Sequence, residues 1–129
     1  MPFIENSENP IVDLSFNFGV RIVKFYKYLT TKNVYVLSKQ ILRCGTSIGA
    51  NVHESIHAQS KADFISKMNI ALKEADETDY WLRLLWKSEI IEEEEEYKSL
   101  SKDVRQIYWY IGKNHQELQA FLIFTFLHY

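Results

Sequence analysis

The sequence predicts an all-α fold, an up-down-up-down antiparallel four-helix bundle, from three observations. Both prolines, Pro2 and Pro10, fall in the first ten residues, and only 4 glycines occur in 129 residues, so nothing from Ile11 to Tyr129 has to break a helix. Four consecutive segments carry apolar residues at spacings of three and four. The turns between them are short, which makes consecutive helices antiparallel neighbours. No strand pattern competes. At 47% apolar and 15% aromatic residues, the chain can fill the core of one domain.

The first helix is expected from about Pro10 to Leu29. Asn9 can cap it, and Pro10 sits where a first-turn proline belongs. Its apolar row is Ile11, Leu14, Phe18, Ile22, Phe25 and Leu29, with Arg21, Lys24 and Lys27 on another face. Thr30 to Asn33 reads as a turn. The second helix runs from about Val34 to His57 on Leu37, Ile41, Cys44, Ile48 and Val52. Small residues crowd it: Gly45, Ser47, Gly49 and Ala50. A glycine inside a helix costs about 1 kcal/mol against alanine, so two of them predict the close approach of another helix.

Ser60 and Asp63 read as a capping box opening the third helix. That helix extends to about Glu89 on Phe64, Met68, Ala71, Ala75, Thr78, Leu82 and Leu85. The fourth begins near Glu92, where five consecutive glutamates suit the positive end of a helix dipole. Its row is Leu100, Val104, Ile107, Ile111 and Leu118. The expected organisation is an N-terminal extension (1–9), the bundle (10–118) and an apolar C-terminal tail (119–129). The tail extends helix four, folds back, or packs on a neighbouring chain.

Composition narrows the function classes. A net charge of −2 is not that of a polycation built for nucleic acid. A single cysteine, Cys44, excludes an internal disulfide framework and suits a reducing compartment. The start of the chain shows no basic-then-apolar targeting pattern. The longest apolar stretch, 121–127, is too short to span a bilayer as a helix. A cytoplasmic protein without membrane contact is expected.

The most distinctive stretch is QILRCGTSIGANVHE at 40–54, continued by SKADFISKM at 60–68, IALKEA at 70–75 and ETDYWL at 77–82. Over roughly Leu14 to Gly112 this resembles the bacterial four-helix-bundle family first noticed as products of intervening sequences in 23S ribosomal RNA genes. The resemblance implies a left-handed antiparallel bundle that assembles as a ring, typically a homopentamer, with no established enzymatic activity. One branch of the family serves diversity-generating retroelements, contacting nucleic acid and the reverse transcriptase. RNA, DNA or a reverse transcriptase is therefore an expected class of partner besides the chain itself. That branch is strongly basic, whereas this chain is not. The tail from Lys113 onward matches no part of the pattern.

Three groups of residues on the second and third helices bear on chemistry. Arg43, Ser47, Asn51 and Glu54 share one face of the second helix, and Glu74 and Glu77 share one face of the third. They read as a structural polar seam inside the bundle, with Arg43 pairing with a glutamate and Asn51 hydrogen-bonding across. His53-Glu54-Ser55-Ile56-His57 matches H-E-x-x-H, in which two histidines one turn apart chelate zinc and the glutamate polarises water. A zinc-dependent hydrolase on that motif is the rival to a non-enzymatic scaffold. It requires a third ligand, for which His115 and His128 are the candidates. A di-iron bundle would need a second Glu-x-x-His, which the chain lacks. No catalytic residue, cofactor or metal is assigned, and His53 and His57 stand as secondary metal candidates. Gly45 to Gly49 lacks the spacing of a phosphate loop, and no strand precedes it.

Charge is uneven, with 6 Lys and Arg against 4 Asp and Glu over 1–58, and 9 against 13 over 59–129. Arg21, Lys24 and Lys27 on helix one and Lys98, Lys102 and Arg105 on helix four are expected to form a basic strip, the candidate nucleic-acid contact. Tyr80, Trp81, Trp86, Tyr108, Trp109 and Tyr110 exceed what one bundle core hides. With the apolar tail they predict a subunit interface.

Overall fold

A computed structural model of the chain describes residues 9–114. Helix α1 (Pro10–Thr31) begins where the Asn9 side chain accepts from the Ile11 amide at 3.3 Å. It ends in a Schellman turn: Asn33 takes a left-handed φ of 64°, its amide donates to Thr30 O, and Val34 N donates to Leu29 O at 3.0 Å. Helix α2 (Val36–Ile56) follows, two residues later than the sequence pattern suggests and with no side-chain cap. Helix α3 (Lys61–Lys87) is opened by Ser60, whose Oγ accepts from Asp63 N at 3.1 Å. The expected capping box is only half made, because the Asp63 carboxylate takes the amide of Gln59 rather than that of Ser60. A second Schellman turn, with Glu89 at φ 66° and Ile90 N donating to Leu85 O, leads to helix α4 (Glu94–Asn114). No strand occurs among the described residues.

Each helix packs on its neighbours, α1 on α2, α2 on α3, α3 on α4 and α4 on α1, while diagonal pairs do not meet. That is the square of an up-down-up-down bundle. The buried rows alternate spacings of four and three: Ile11, Ser15, Phe18, Ile22, Phe25 and Leu29 on α1, and Leu100, Val104, Ile107 and Ile111 on α4. An average of 3.5 residues is the repeat of left-handed knobs-into-holes packing. Phe18, Ile22, Ile48, Leu82, Leu85 and Ile107 are all at most 2% exposed.

Some expected core members lie at the rim. Leu14 and Leu37 are half-buried, and the adjacent serines fill the inner positions. Ser15 and Ser38 are small enough to sit there because each hydroxyl donates back to its own helix, at Val12 O and Tyr35 O. In the first turn of α3, Ile65 is buried while the Phe64 ring lies half-exposed against the core edge. Leu118 and the two flanking segments, 1–8 and 115–129, lie outside the described residues.

The two glycines of α2 act through contact distance. A Cβ on Gly45 would stand 2.8 Å from both γ carbons of Ile22, and one on Gly49 would stand 3.0 Å from the Ser15 carbonyl oxygen. The close approach expected from the sequence is therefore that of α1.

Candidate functional site

The polar row of α2 meets that of α3 at the bundle rim. The Arg43 guanidinium pairs with Glu74 at 3.4 Å and with Glu77, and the Glu77 carboxylate also accepts from the Trp81 indole N–H at 3.0 Å. Arg43 is 51% exposed and Glu74 20%, so this is a surface seam and not the interior one the sequence suggests. The inner positions beside this seam are filled by the small or apolar Cys44, Ile48, Ala71, Ala75 and Thr78, all buried. Arg43 stays half in water with its head against the two carboxylates. Ser47 Oγ donates to Arg43 O at 2.6 Å, and Asn51 Nδ2 donates to Ser47 O at 2.9 Å. Both bonds stay within α2, and among the described residues neither side chain hydrogen-bonds to α3. Glu54 turns outward to Lys67 at 3.1 Å. Burial pushes the Cys44 thiol up to about 11, so it stays protonated at neutral pH and behaves as a small core residue.

His53 on α2 and His57 at its C-cap are exposed, with their rings edge to face and centroids 5.3 Å apart. Glu54 is held by Lys67. Among the described residues no group of three His, Cys, Asp or Glu side chains is placed to hold a metal ion. His115 and His128, the expected third ligands, lie outside those residues.

The two basic rows do not come together. The α4 residues that face α1 are Ser99 and Asp103: Arg21 donates to the Ser99 carbonyl at 3.4 Å and pairs with Asp103 at 2.5 Å. Lys98, Lys102 and Arg105 lie to the other side, where Arg105 meets Asp79 of α3 at 3.4 Å. One residue on a helix is a turn of about 100°, so the row beginning at position 98 cannot share the face of 99 and 103. Lys98 is also paired, with Glu94 at 3.1 Å. Lys24, Lys27 and Lys102 are exposed and outside every ion pair found among the described residues. Between α1 and the start of α4 lies an open cavity of about 460 Å³. Phe25, Tyr28 and Ile91 form its apolar part, and Lys24, Glu92 and Glu96 are among its charged residues.

Apolar side chains remain at the surface. Trp109 is 58% exposed, Tyr80 50% and Tyr108 45%. Trp81, Trp86 and Tyr110 are half-buried against the core, and Trp86 stacks on Tyr97 at 5.3 Å. A second set, not expected from the sequence, is Phe16 and Val23 on α1 and Ile56 on α2, each at least 40% exposed. The available signal was that Phe16 and Val23 stand one heptad apart, beside the core row and not in it. Among the described residues no helix is long and apolar enough to cross a membrane.

These features define a class: a four-helix bundle with heptad cores, ion pairs at its rims and apolar residues left on outer faces. The chain belongs to the 23S rRNA-intervening sequence protein family, whose model matches residues 7–113. It is similar to a crystal structure, at 1.70 Å resolution, of a protein with unknown function from the S23 ribosomal protein family of Bacteroides thetaiotaomicron VPI-5482. The two are 52% identical, the match covers 80% of this chain and 95% of that one, and the TM-score is 0.78. No curated protein matches the chain.

Proposed function

We propose that the protein is a non-enzymatic cytoplasmic scaffold that assembles with copies of itself, five to a ring as the family resemblance implies. The observation that carries this reading is the outward placement of Trp109, Tyr80, Tyr108, Phe16, Val23 and Ile56. Large aromatic and aliphatic side chains cluster at protein interfaces, and a monomer gains nothing by hydrating them. Sedimentation equilibrium of the full chain at micromolar concentration should give about five times the chain mass. A monomer there would contradict the reading.

The ring would present its surface to RNA, DNA or a nucleic-acid enzyme such as a reverse transcriptase. Support for direct nucleic-acid contact comes from Lys24, Lys27 and Lys102, since Arg21, Lys98 and Arg105 are engaged by carboxylates. Each phosphate neutralised adds to the salt dependence of binding. A gel-shift series in low salt should show affinity that falls with added salt and weakens in a K24E/K27E/K102E variant. Absence of any shift would leave protein as the partner class.

A further inference from the structure

We propose that His53 and His57 form a two-nitrogen chelate for a divalent late-transition-metal ion at the C-terminal end of α2. This inference is independent of the scaffold reading. The histidines lie one turn apart on one helix face with ring centroids 5.3 Å apart, so rotation of the imidazoles can bring one nitrogen of each toward a common point. Both side chains are exposed, and among the described residues no hydrogen bond or ion pair engages either ring. Their nitrogens are thus available without breaking a structural contact. His57 is the C-cap of α2, at the end where the aligned peptide dipoles leave partial negative charge, which favours a cation.

The donor set selects the ion. Imidazole nitrogen suits copper, nickel and zinc, whereas magnesium and calcium require oxygen. Glu54 is not part of the set, because its carboxylate is paired with Lys67. Two protein ligands leave about two positions of a tetrahedral ion to water or to a donor from another molecule. The site is therefore a peripheral, exchangeable one, distinct from the three-ligand centre that a hydrolase would need.

Calorimetric titration of the tag-free full chain with Cu²⁺, Zn²⁺ and Mg²⁺ tests the assignment. One ion per chain should bind, Cu²⁺ more tightly than Zn²⁺, with no Mg²⁺ binding. Loss of even an outer-shell partner costs about 10–100-fold in metal affinity, so H53A and H57A should each weaken Zn²⁺ at least about tenfold. Nitrogen hyperfine structure in the Cu²⁺ spectrum should report two imidazoles and revert to one in either variant. E54Q and an H115A/H128A double variant should bind as the parent does. Equal Zn²⁺ affinity in H53A, H57A and the parent would overturn the proposal. So would loss of binding in E54Q or in the double variant.

Discussion

The bundle closes in two different ways on the two sides of α1. Toward α2, closure is by backbone approach: Gly45 receives the γ carbons of Ile22, and Gly49 receives the Ser15 carbonyl. None of the ion pairs among the described residues crosses that seam. Toward α4, closure is by long side chains, with Arg21 reaching Asp103 and Ser99 beside an open cavity. The difference is one of tolerance. A seam closed at van der Waals distance against a helix backbone has nowhere to put an added atom. A seam bridged through water-exposed side chains can lose a partner and rehydrate.

The largest effects should come from breaking the first seam. G45A and G49A each insert a methyl group where Ile22 or the Ser15 backbone already stands. Both γ carbons of the fully buried, β-branched Ile22 face Gly45, so no single rotamer change clears them. Overpacking of this kind costs about 1–3 kcal/mol, against about 1 kcal/mol gained from alanine in a helix. Thermal denaturation should therefore show both variants melting below the parent. An equal or higher melting temperature would mean the seam is not closed at contact distance.

Gly19 provides the internal control. It lies on α1, yet nothing stands within 4 Å of an added Cβ. G19A should gain up to about 1 kcal/mol and raise the melting temperature. Opposite signs for the same substitution on facing helices would isolate contact from propensity.

The smallest effects belong to the bridged seams. R21A removes a pair whose side chains are 33% and 38% exposed, and R43A removes two at the α2–α3 rim, to Glu74 and Glu77. Exposed pairs contribute about 0–1 kcal/mol, so each variant should lower the melting temperature slightly and less so in high salt. A loss matching that of G45A would contradict the distinction between the two kinds of closure.

What the sequence discloses is mostly angular. The alternation of three and four placed Phe18, Ile22, Ile48, Leu82 and Ile107 inside, because a helical row is fixed by spacing alone. The starts of α1 and α3 were legible because Asn9 and Ser60 carry capping oxygens in their side chains. Their ends were legible only to within two residues, because Asn33 and Glu89 hold left-handed turns that glycine more often marks. Depth was also hidden: a polar row predicts which direction Arg43 and Glu74 face, and only the small residues beside them determine that they meet at the surface. The basic rows of α1 and α4 were each legible, but their relation to one another depended on which α4 row turns to α1. Ser99 and Asp103 hold that place. The H-E-x-x-H pattern gave the pairing of His53 with His57 but not the engagement of Glu54 by Lys67.

Hydrogen–deuterium exchange resolved by helix, on the full chain, tests the contrast between the two seams most directly. Amides of 15–22 and 44–52, which flank the glycine contacts, should open only near the free energy of global unfolding. Those of 94–99, beside the cavity, should exchange through smaller local openings. Protection along 94–99 equal to or greater than that along 44–52 would contradict the account.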